Sequence, residues 1–174
     1  MGWFKRKVSA DKFGIALAEA FFLSAAEDSS SSLVQIAQED HGIAPHIFLD
    51  ELGFLRAFSI DFAITHALGG HTAKRNIVMD SFLSELSEAA NTMSASGLNE
   101  GAMFMKSLNK RLIEYDHAVR KLDMTDPTSK LHVGKVFSRN CGCAENLRVS
   151  TLAVDLWVSA FKITHKVLES TTII

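Results

Sequence analysis

Cysteine, proline and any surplus of one charge are scarce in this chain, and each scarcity removes a class of protein. Its 174 residues include two cysteines, two prolines and a single tyrosine. Two thiols cannot build the disulfide framework of a small secreted domain, and a chain of this length needs none, since it can bury roughly 70% of its unfolded surface. The 18 basic and 20 acidic residues lie scattered and leave a formal charge of -2, which gives no electrostatic footprint for nucleic acid. No nucleic-acid partner is expected.

Long apolar runs are missing as well. Glu19, Arg56, Asp61 and Asp155 interrupt every apolar stretch before it reaches the roughly 18 residues of a membrane span, so no transmembrane segment is expected. The basic start is followed by Ser9, Asp11 and Lys12, which does not read as a signal peptide. Arg6 stands where a myristoylation motif requires Ser or Thr. A cytoplasmic chain with free thiols is the resulting expectation. Trp3 and Phe4 beside Lys5, Arg6 and Lys7 have the composition of a membrane-surface contact, but a flexible N-terminal segment over residues 1–10 is the simpler reading.

Catalytic signatures are the last absence. There is no phosphate-binding glycine loop of Walker or Rossmann spacing and no Gly-x-Ser-x-Gly elbow. Cys141-Gly-Cys143 has no second pair to complete a thiolate metal cage, and it falls where a glycine-bearing turn would join two helices.

What remains is helical punctuation. Asp11 can cap a helix to about Glu27. The serine tract 29–32 breaks it, and Ser32 with Gln35 fits a capping box for a short helix ending near Gly42. Pro45 opens a third helix that stops at Gly69-Gly70, and a fourth spans about Thr72 to Ala95. In the fifth, from Asn99 to Leu122, the residues Met105, Leu108, Leu112, Tyr115, Val119 and Leu122 alternate spacings of three and four. Asp126 and Pro127 start a sixth helix ending between Asn140 and Gly142, and an apolar seventh runs from about Ala144 to Ser170. No alternating β pattern appears. The fold expected is all-α: one helical domain over 11–174, a bundle of six to seven helices with the apolar helices near 45–69 and 144–170 at its centre, both apolar nearly all round.

Several residues carry candidate chemistry. Glu114 and His117, three apart on one helical face, can ligate one metal, although a ferritin-like di-iron site would need a second Glu-x-x-His, for which His46 and Asp50 are only a partial substitute. The pair also reads as solvated charges on an exposed face. His66 and His71 flank the glycines that end the third helix and suit its C-terminal carbonyls better than a metal. Asp61 and Asp155 sit among apolar neighbours; exposure or a groove edge is expected for Asp61, because its own helical turn holds no basic residue.

The leading functional expectation is a non-enzymatic helical protein acting through self-association as a homodimer or through a protein-partner interface. The second is a protein that binds an apolar small-molecule ligand or cofactor between phenylalanine-rich helices. The third is a metal-dependent enzyme using Glu114 and His117.

Overall fold

The computed structural model describes residues 6–29, 32–70, 72–93, 99–120, 122 and 128–174. Among them are seven helices, α1 (Ala10–Ser29), α2 (Ser32–His41), α3 (Pro45–Leu68), α4 (Ala73–Met93), α5 (Asn99–Val119), α6 (Leu131–Asn140) and α7 (Leu147–Ser170), with two short strands, β1 (Arg6–Val8) and β2 (Thr171–Ile173). The fold is all-α, as expected, and no helix among the described residues is long and apolar enough to cross a membrane. The proposed start of the sixth helix at Asp126 and Pro127 lies outside the described residues, as does His71.

The helix ends follow from local chemistry. After α6, Gly142 adopts φ +80, the left-handed conformation that a Cβ disfavours. Its N–H donates to the carbonyl of Arg139 at 3.0 Å, and the Cys143 N–H donates to that of Ser138 at 2.8 Å. This is a Schellman closure, so the Cys-Gly-Cys segment is a helix stop, with both thiols free. Gly69, at φ +85, closes α3 by donating to the Thr65 carbonyl at 3.0 Å.

The contacts group the residues into two compact units, with boundaries inside α1, α3, α5 and α7. The first comprises residues 1–22, 59–107 and 160–174. Phe13, Leu17 and Phe21 of α1 are buried here, as are Val78, Phe82 and Leu86 of α4, and Phe21 meets Phe82 edge to face at 6.1 Å. Close approach of these helices depends on Gly14, where a Cβ would collide with the Val78 carbonyl and with Ser81. The unit also contains the ladder in which Arg6, Lys7 and Val8 pair in parallel with Thr171, Thr172 and Ile173. Residues 6–8 are thus a strand within the segment expected to be flexible. A three-residue strand is too short to display alternation, and partners 165 positions away are not visible in a local pattern.

The second unit comprises residues 23–58 and 108–159. Phe48, Leu52, Leu55 and Phe58 of α3 are buried, together with Leu108 and Tyr115 of α5 and Val133 and Phe137 of α6. Phe48 packs edge to face on Phe137 at 5.7 Å. Burial of each such side chain contributes about 1.5–3 kcal/mol. Gly134 of α6 lets its backbone approach Ser150 of α7, and the Ser138 and Ser150 hydroxyls meet at 2.9 Å.

The two apolar helices differ in one respect. α3 is buried on most sides, from Phe48 through Ile64. α7 buries Val149, Ala153, Trp157, Thr164 and Leu168, holds Leu152, Val154, Leu156, Val158 and Phe161 half-buried, and leaves Leu147, Ile163 and Val167 exposed. All-round apolarity therefore marks burial on most sides in α3, whereas in α7 several aliphatic side chains stay exposed. In α5 the expected seam is deepest at Leu108 and Tyr115, whereas Met105, Leu112 and Val119 are half-buried.

Candidate functional site

The densest polar cluster among the described residues lies in the second unit and centres on Glu51, a residue the sequence reading did not single out. Glu51 follows Phe48 by three positions and precedes Leu55 and Phe58 by four and seven, so it shares their buried helical face. Only 3% of its side chain is exposed. A carboxylate so placed needs compensation, and three donors supply it. The Arg111 Nε donates to Glu51 Oε2 at 2.7 Å; the Tyr115 hydroxyl and Asn140 Nδ2 donate to Oε1 at 2.6 and 3.1 Å.

The spacing of α5 creates this cradle. Arg111 and Tyr115 are four apart, one helical turn, and therefore reach the same acceptor. Glu114 completes the network from the next position: its Oε2 accepts from Arg111 Nη1 at 3.1 Å, Asn140 Nδ2 at 3.2 Å and Arg139 Nη2 at 3.4 Å, and Lys110 Nζ stands 3.9 Å from its Oε1. The Tyr115 ring stacks on Phe58 at 5.3 Å, and Phe58 stacks on Trp157 at 6.5 Å.

Burial dominates the electrostatics of the phenol and the thiols around Glu51. Burial, reinforced by the adjacent Glu51 carboxylate, holds the Tyr115 phenol well above its ordinary value, so it stays protonated. Burial and Glu51 likewise push the Cys141 thiol far up, and burial raises Cys143, which removes the thiolate that a nucleophile or soft-metal ligand requires. For Arg111 burial works against the charge, but Glu51 and Glu114 outweigh it and raise the guanidinium's value. The result is a buried polar network linking α3, α5 and α6.

Glu114 and His117 are placed differently from each other. Glu114 is directed into this network of cations and amide donors, while His117 is exposed. Among the described residues no group of three or more His, Cys, Asp or Glu side chains is gathered for a metal ion. His46 and Asp50 are exposed on the first turns of α3, and Asp155 is exposed on α7.

Asp61, in the first unit, has 23% of its side chain exposed and pairs with Arg75 Nη2 at 2.5 Å. Thr65 is shared between them, donating to Asp61 Oδ1 at 3.4 Å and accepting from Arg75 Nε at 3.3 Å. The partner comes from α4 and not from its own helix, which is why no basic residue in its own turn announced it. His66 is exposed at the end of α3, with its ring 5.3 Å from that of His165 and 5.9 Å from Phe161. No family model, curated protein or solved structure matches the chain.

Proposed function

We propose that this chain is a non-enzymatic helical protein that acts by self-association, with the exposed face near the C-terminal end of α7 as the contact. The observation that carries this reading is the exposure of Ile163 at 68% and Val167 at 43%, four residues and thus one helical turn apart. Branched aliphatic side chains in water forfeit burial energy of about 25 cal/mol per Å² that a second surface would recover.

The spacing also suits a two-fold contact. When two copies of α7 cross antiparallel about the midpoint of this pair, Ile163 falls opposite the partner subunit's Val167, and each copy supplies the same patch. Met103 and Ile77, exposed in the same unit, add apolar surface for such an interface or for a different protein partner. Two free thiols fit a reducing, cytoplasmic setting for the protein.

An enzymatic reading draws less support, because the acid, phenol and thiol that resemble catalytic groups are sealed. Glu51, Tyr115 and Cys141 are each 5% exposed or less. The test is light scattering on the wild type beside Ile163→Lys. The wild type is expected to run as a dimer and the variant as a monomer with unchanged helix content; a wild-type monomer at high micromolar concentration contradicts the proposal.

A further inference from the structure

The first unit contains a groove of about 420 Å³ between the end of α3, the start of α4 and the α7–β2 junction, lined by His66, Lys74, His165, Leu168, Glu169 and Ile173 among others. That volume lies within the range of small-molecule sites. Its polar lining is the Lys74 ammonium, the His66 and His165 imidazoles, the Thr171 hydroxyl and the Glu169 carboxylate. Lys74 donates to the Ile173 carbonyl at 2.5 Å, a bond that uses one of its three ammonium hydrogens, and it makes no ion pair among the described residues. The His66 and His165 rings stand edge to face with centroids 5.3 Å apart, and Phe161 packs against both. Glu169, 68% exposed, lies 3.7 Å from His165 Nδ1 at the rim of the groove.

We infer that this groove binds a small organic phosphate, with Lys74, His66 and His165 donating to the phosphate oxygens and Leu168 and Ile173 packing against the organic part. Three donors from three separate elements match the three terminal oxygens of a phosphomonoester better than the two of a carboxylate. An ammonium beside the imidazoles opposes a metal cation, and each imidazole offers an N–H donor in either charge state. Lys74 also stands in the first turn of α4, where the helix dipole favours an anion. The same headgroup chemistry occurs in free phosphorylated molecules and in lipid phosphates, and the experiment separates them.

The test titrates the full chain with phenyl phosphate, with phenol as the uncharged control, and with vesicles containing phosphatidate, while NMR follows the imidazole resonances. Saturable shifts of His66 and His165 with phenyl phosphate and none with phenol are expected for a free ligand. Vesicle binding without phenyl phosphate binding assigns the site to a lipid headgroup. In either case Lys74→Gln should weaken binding about tenfold or more, and Lys162→Gln, on α7 outside the groove lining, should not. His66→Gln, at an exposed position, keeps the test open if loss of the Lys74 bond to Ile173 impairs folding; it should weaken binding severalfold. Binding of neither probe, binding without imidazole shifts, or equal losses in Lys74→Gln and Lys162→Gln overturns the assignment. None of these results bears on self-association, which is read from mass and from Ile163.

Discussion

Replacing Arg111 with Ala would strand the Glu51 carboxylate, since only 3% of that side chain reaches solvent and Arg111 is its cation at 2.7 Å. Removing one member of a buried ion pair costs about 3–5 kcal/mol, because the remaining charge keeps its desolvation penalty without compensation. Two features place this case at the lower end. Arg111 retains 20% side-chain exposure, and Tyr115 and Asn140 continue to donate to the other carboxylate oxygen. The expected loss is therefore about 3 kcal/mol, a large share of the roughly 5–15 kcal/mol that holds a domain folded. Urea denaturation at neutral pH measures it directly, provided the slope of the transition is unchanged. The control is Arg120→Ala, which breaks the 2.7 Å pair with Asp116, a pair with 74% and 47% side-chain exposure. It should cost no more than about 0.5 kcal/mol. Equal losses for the two variants would refute the view that Glu51 is a buried charge dependent on Arg111.

Further outcomes follow from the same contacts. Because Tyr115 is held well above its ordinary value of 10.0, the unfolded chain ionises it first; the stability it supplies is fully present below about pH 10 and is lost as pH rises beyond that, a loss that Tyr115→Phe should reduce in unfolding titrations by circular dichroism. Leu108→Ala, at a fully buried position, should cost about 2–5 kcal/mol and Leu112→Ala, half-buried, clearly less, as read by thermal or urea unfolding. Gly134→Ala should destabilise by about 2 kcal/mol or more, since the new methyl would meet the Ser150 backbone; a neutral result in the same assay would mean that α6 and α7 separate easily there.

Much of the helical frame was legible because its punctuation is local. Pro45 opens α3, and Gly42, Gly69 and Gly142 each adopt a positive φ just beyond a helix end, so composition alone located these boundaries to within a few residues. The pairing of Asp116 with Arg120 and of Lys110 with Glu114 was readable for the same reason, since both pairs are four apart on one helix. Partnerships across the chain were not. Glu51 meets residues 60, 64 and 89 positions away, and Asp61 meets Arg75 of the next helix. The signal for Glu51 is its position on the face of Phe48, Leu55 and Phe58, whereas Asp61 and Asp155 have apolar residues on either side in sequence and are only partly buried or exposed. Adjacent residues lie on different helical faces, so sequence neighbours are a poor guide to burial, and periodic neighbours a better one.

The central claim is that the exposed α7 face around Ile163 and Val167 joins two copies of the chain. Sedimentation equilibrium of the wild type and of Ile163→Lys, from low to high micromolar concentration, tests it most directly. The wild type should approach twice the 19.1 kDa mass of one chain as concentration rises, while the variant stays at that single-chain mass across the range. A wild type that remains at the mass of one chain at the highest concentration, or a variant that dimerises as readily as the wild type, would contradict it.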